Sequence, residues 1–137
     1  MREIKFRGKI PNTDIWIYGH LVEQLGAKSL KFPRRYIVCY DEKIEDYDWE
    51  KPCSVERESV GQFTGAYDCH GVEIYEGDIC DVVGSRVYIA WDNYYFKFNF
   101  FNPDGSRAIF RFEKDYTMIA KIIGNIFDNL EMLRWAE

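Results

Sequence analysis

The sequence has no Cys-x-x-Cys pair, no phosphate-binding glycine loop and only 2 histidines in 137 residues. The missing pair removes the spacing from which small zinc sites are built. The cysteines stand alone at 39, 53, 69 and 80. They are expected to be small apolar residues of a reducing compartment, with no metal or other cofactor bound. Positive charge is also short: 18 Lys and Arg face 23 Asp and Glu, for a net charge of −5. That balance opposes a protein that coats duplex DNA, because such binding rests on neutralising phosphates. No apolar run approaches membrane-spanning length, and Met1 leads straight into Arg2, Glu3, Ile4 and Lys5 without the apolar region of a signal leader. A soluble, cytoplasmic chain with no membrane partner is expected.

Aromatic residues are abundant, at 18% of a chain that is 47% hydrophobic. Flat rings and β-branched residues fit a pleated, half-buried surface, so the excess favours sheet. A chain of this length fits one domain and buries roughly two-thirds of the surface it exposes when unfolded. The local pattern agrees. Ile4 and Phe6 alternate with Glu3, Lys5, Arg7 and Lys9, and the turn residues of 11–14 lead into an aromatic and β-branched run over 15–22, which predicts an antiparallel hairpin. A further short strand is expected over 36–40, followed by an acidic run from Asp41 to Glu50 that reads as a variable loop.

Glycines at 61, 65, 71 and 77 punctuate the next stretch at steps of four to six residues and dictate tight turns. Strands are expected over 63–67, 72–75, 79–83, 87–91 and 94–101, with Phe96, Phe98 and Phe100 on one face of the last. Asn102, Pro103, Asp104 and Gly105 predict a turn, and Ala108, Phe110 and Phe112 a returning strand. A last strand is expected over 118–123 and one helical turn over 130–135.

Chemistry is sparse. Asp68, Cys69 and His70 place an acid, a thiol and an imidazole side by side, but neighbours in a turn splay apart, whereas catalytic groups converge from distant segments. Glu73, Glu76 and Asp78 form a carboxylate cluster whose plainer reading is that Asp78, after Gly77, bonds backbone N–H groups nearby. Basic and aromatic residues interleave at Phe32, Arg34, Arg35 and Tyr36, which is the case for a nucleic-acid contact, against solvated surface as the alternative. Trp16, Tyr94, Tyr95 and Phe101 are candidates for a protein interface if they face outward.

Three blocks also carry a likeness. REIKFRG at 2–8, VGQFTGAYDCHGVEIYEGDI at 60–79 and IIGNIFDNLEML at 122–133 together resemble the YopX family of small phage and prophage proteins. The pattern falls on Arg2, Lys5, Phe6 and Arg7, on Gln62, Thr64, Gly65, Asp68, Gly71 and 74–79, and on Gly124 and Asn125. Cys69 and His70 replace polar turn residues of the pattern, and Leu130 stands where proline is common. The resemblance implies an all-β, mainly antiparallel protein with little helix. Its central and C-terminal strands would curl into a partly open barrel similar to SH3-like barrels. It implies a phage or prophage origin and no established activity.

The combined expectation is one domain over 1–137, with a hairpin and variable loop over 1–58 and a glycine-punctuated core over 59–137. A non-catalytic binding or assembly module of the host cytoplasm is expected, with another copy of itself or a host or phage protein as partner. Its contact face is expected at Lys5, Arg7, Tyr75, Glu76 and Asp78. The alternative is a nucleic-acid-associated barrel, and an enzyme is the third reading.

Overall fold

Turn chemistry at 11–14 sets the first hairpin. The Thr13 hydroxyl donates to the Ile10 carbonyl (2.7 Å) and accepts from the Ile15 N–H (3.1 Å), closing the loop between β1 (Phe6–Lys9) and β2 (Trp16–Gln24). The computed structural model describes residues 2–24, 34–39 and 52–134. Two compact units divide between Gln62 and Phe63. The acidic run 41–50 lies outside the described residues.

In the first unit, β1 and β2 pair antiparallel from Lys9↔Trp16 to Phe6↔Gly19. β3 (Arg34–Cys39) then pairs with β2, β4 (Cys53–Ser54) with β3, and the start of β5 (Gly61–Tyr67) with β1. A single 3-10 turn, Arg57–Ser59, precedes β5. Ile17, Ile37 and Val55 form the buried core, with Phe6, Ile15, Leu21, Cys39 and Cys53 packed around it. Cys39 and Cys53 are thus partly buried against this core.

In the second unit, the later part of β5 pairs with β6 (Glu73–Tyr75) across a register break between Phe63 and Tyr67. β7 (Asp78–Val82), β8 (Ser85–Asp92) and β9 (Lys97–Phe101) follow as an antiparallel meander. A helical turn, α1 (Lys114–Thr117), precedes β10 (Lys121–Asn125), which returns to pair with β7, and a 3-10 turn at Leu130–Leu133 follows. The sheet order is β10-β7-β8-β9. Ile74, Cys80, Val82, Val87, Ile89, Phe98, Phe100 and Ala120 make its core.

The class is therefore all-β and antiparallel, but the strands do not close into a barrel. The returning strand expected from Ala108, Phe110 and Phe112 does not form a ladder. Asn102–Gly105 does turn the chain, with the Gly105 N–H donating to the Asn102 carbonyl (2.9 Å) and Gly105 at φ 87°, but only a single bridge, Phe101↔Arg107, extends the sheet. Beyond Ala108 the segment is held by its rings instead of a ladder. Phe112 stands 5.0 Å from Phe100, Phe110 stands 5.5 Å from Tyr116, and both phenylalanines pack on the core. β9 is left as a sheet edge.

The β7–β8 hairpin carries a misfit that makes a test. Val82 pairs with Ser85, so the loop is Val83 and Gly84, at φ 51° and 84°. This two-residue geometry is the one Asn-Gly prefers, and a β-branched residue in it is strained. Val83 is exposed, so its side chain gives up little on replacement. Val83→Asn is expected to raise stability by about 1 kcal/mol in chemical denaturation. No gain would mean that this loop is not of the Asn-Gly type.

Candidate functional site

Asp92 ends β8, and its buried carboxylate organises the turn that follows. Oδ1 accepts the N–H groups of Tyr94 (2.9 Å) and Tyr95 (3.4 Å), while Oδ2 accepts the Asn99 amide from β9 (3.2 Å). Arg107 closes on it with a two-point fork, Nε to Oδ2 at 2.5 Å and a terminal nitrogen to Oδ1 at 2.9 Å. The Arg107 fork, together with these hydrogen bonds, outweighs burial and holds the Asp92 carboxyl well below the usual carboxylate range. The same guanidinium lies over the rings of Tyr94 and Tyr95, at 5.2 and 5.1 Å from their centroids. One buried acid thus fixes a turn, a cation and two aromatic rings.

The turn displays what it fixes. Tyr94 is 72% exposed, Tyr95 57%, Phe96 78%, and Ile109 on the following segment 90%. Phe96 has φ 54°, a left-handed conformation unusual for a bulky residue. The strand expected from 94 begins only at Lys97, because Asp92 captures two N–H groups in the turn, and so Phe96 leaves the face shared by Phe98 and Phe100. A cleft of about 480 Å³ adjoins this turn, lined by Tyr95, Lys97, Asn99, Arg107, Arg111 and Glu113 together with the chain between 108 and 110.

Three of the five residues expected for a contact face are buried. Tyr75 and Asp78 are 2% and 1% exposed, Arg7 is buried with its guanidinium 5.0 Å from the Trp16 ring, and the Lys5 side chain is largely covered. Asp78 is spent on structure, since its carboxylate accepts the Tyr75 N–H at 2.7 Å, while Tyr75 packs on Phe63 at 5.5 Å. Glu76 is half-buried. Of the basic-aromatic set, Phe32 lies outside the described residues and Arg34 is exposed. Arg35 faces Glu23 (3.5 Å) and donates to the Arg57 carbonyl (3.3 Å), and the Tyr36 hydroxyl donates to Gln24 (3.4 Å). Cys69 and His70 are exposed on a turn whose neighbour Asp68 is buried. Burial pushes the Asp68 carboxyl up, but N–H donations from Val72, Ile122 and His70 outweigh it and hold it below its usual value. Among the described residues no three His, Cys, Asp or Glu side chains gather to hold a metal.

The family model described as YopX protein matches residues 5–134. The chain belongs to the YopX family. No curated protein matches this YopX-family chain. It is similar to the crystal structure of protein EF1440 from Enterococcus faecalis, at 22% identity, with 98% of this chain and 100% of that one covered and a TM-score of 0.58. That likeness shows a shared fold.

Four of the residues through which this YopX-family chain resembles its family fasten its turns and strands. The Thr64 hydroxyl donates to the Ile74 carbonyl (2.7 Å), Asp68 and Asp78 hold turns, and the Asn125 side-chain oxygen accepts the N–H groups of Phe127 (3.0 Å) and Asp128 (2.8 Å). Of the four aromatics named for an interface, Tyr94 and Tyr95 face outward, Phe101 stacks on Tyr88 at 5.7 Å, and Trp16 lies beside Arg7. Sequence reasoning missed Phe96, Arg107 and Ile109. Asp92 before a run of three aromatics was the available signal, because an Asp there bonds the backbone two residues on and swings the rings out.

Among the described residues no helix is long and apolar enough to cross a membrane.

Proposed function

We propose that this YopX-family chain is a non-catalytic binding module of phage or prophage origin, working in the host cytoplasm and docking a protein partner through the aromatic turn after β8. The single observation that carries the reading is Phe96, which sits in a strained backbone conformation and yet points into solvent. Unlike the isolated Val83, Phe96 stands next to exposed Tyr94 and Tyr95, and a grouped exposed aromatic surface is the kind that a partner covers. Tyr and Arg, which dominate the energetics of protein interfaces, stand beside it, already ordered on Asp92. The non-catalytic reading draws support from Asp68, whose oxygens are taken by backbone donors beside the exposed Cys69 and His70.

Affinity capture from prophage-induced cells tests it, comparing the natural chain with a Tyr94→Ser, Phe96→Gly variant. The variant is expected to stay folded by circular dichroism, because both residues are exposed and glycine accepts the positive φ at 96. Its retained partner is expected to drop by roughly tenfold or more, the loss of one aromatic hot spot. Equal capture by the two forms would remove the proposal. Light scattering over a concentration series separates a second copy of the chain from a foreign partner.

A further inference from the structure

Resting on that reading, the geometry points to an acidic, extended peptide segment of the partner protein as the occupant of the cleft beside the aromatic turn. The cleft has a charge opposite to that of the chain. Lys97, Arg107 and Arg111 line it against Glu113 alone, whereas the whole protein carries −5. The fork balances Arg107 against Asp92, and Lys97 and Arg111 against Glu113 still leave the cleft net positive.

Arg107 still has capacity. A guanidinium carries five N–H donors, and Asp92 takes only Nε and one terminal nitrogen, which leaves an end-on edge for a carboxylate. The side chain is 44% exposed. Arg111 is more exposed still and lies a long 4.0 Å from Glu113, and Lys97 makes a weak 3.4 Å bond to the Phe112 carbonyl. Both cations are free to exchange these contacts for better ones.

The apolar parts of the cleft suit side chains between carboxylates. Tyr95 comes from the turn and Ile109 from the chain that leaves the sheet, and both are exposed. An extended occupant follows from β9, an edge strand. The Ala108 N–H donates to the Phe100 carbonyl and the Asn102 N–H to the Ser106 carbonyl, so even-numbered residues of β9 turn their backbone groups to the outer side. Those bonds end at Phe100, and among the described residues no strand continues past Phe98 on that side. The Phe100 N–H is taken by the Asn99 side-chain oxygen (3.0 Å), so a strand added there would pair with the outward backbone groups of Phe98, beside the cations.

Single-stranded nucleic acid fits less well. Three cations, one of them already paired, are few for tracking a phosphate backbone in a protein of net negative charge.

Fluorescence anisotropy with labelled synthetic probes decides the matter. The probes are an octapeptide alternating Glu and Leu, its Lys and Leu counterpart, and an oligothymidine. The Glu-Leu peptide is expected to bind saturably at low salt and to weaken by roughly tenfold or more in the Lys97→Glu, Arg111→Glu double variant, while the Lys-Leu peptide does not bind. The inference is overturned by equal binding of both peptides, by no binding of the acidic one, by tighter binding of the oligothymidine, or by indifference to the double variant. If capture of the cellular partner still depends on Tyr94 and Phe96 while charge reversal changes nothing, the acidic-peptide inference fails and the binding module stands.

Discussion

Gly19→Ala is expected to unfold the first unit. Gly19 is buried in β2, opposite Phe6 on one side and Cys39 on the other, and a Cβ there would run into the carbonyl oxygen of Val38. The obstacle is main chain, which cannot swing aside as a side chain does without breaking the β2–β3 ladder. Overpacking usually costs about 1–3 kcal/mol when side chains can adjust, so a backbone collision is expected to exceed about 3 kcal/mol. Gly65→Ala supplies the contrast. That glycine has φ 88° with open space around it, so alanine there meets only the conformational penalty of about 1–2 kcal/mol. Denaturant titration of the two variants should place Gly19→Ala well below Gly65→Ala. The reverse order would mean that the Gly19↔Cys39 register is wrong.

Gly19 also shows what a sequence withholds. Period-two alternation and turn residues announce strands because both arise from local backbone geometry, and β1, β2, β7 and β8 lie close to where the alternation places them, while β9 starts late, at Lys97. A close approach between strands is a pairing property, with no local mark beyond a glycine in an aromatic run. The same limit explains the returning strand that does not form. Ala108, Phe110 and Phe112 alternate as a strand should, but alternation states only that these rings share a buried face, and here Phe110 and Phe112 reach it by packing on Tyr116 and Phe100 without a ladder.

The site was legible in part for a related reason. Asp78 after Gly77 was readable as a turn fastener, since an Asp bonding nearby backbone is a local event, and it accepts the Tyr75 N–H. Placing a contact face at Tyr75 to Asp78 failed on the same bond, because a carboxylate that fastens a turn is drawn inward. Arg107 was invisible. It stands 15 positions from Asp92 and reaches it only because the 102–105 turn folds the chain back beside β9. Tyr94 and Tyr95 could be named as interface residues, but their ordering on a guanidinium could not.

Removing Asp92 should therefore dismantle the site rather than trim it. Asp92→Ala strips the acceptor from Arg107, from the Asn99 amide and from the Tyr94 and Tyr95 N–H groups together, so partner retention is expected to fall by well over roughly tenfold, together with a lower melting temperature. Asp92→Asn keeps a neutral oxygen for the two N–H groups and should lose less. Because Arg107 and the other donors depress the Asp92 carboxyl in the folded chain, its contribution is fully present above the unfolded value of about 3.9 and is lost only as pH falls below it. Arg107→Gln removes the principal cause of that depression and moves the loss upward toward the ordinary carboxylate range. The ring resonances of Tyr94 and Tyr95, followed by NMR against pH, report the difference. In the natural chain they should stay unchanged through pH 4, and a midpoint at the ordinary carboxylate value there would show that Arg107 does not hold Asp92.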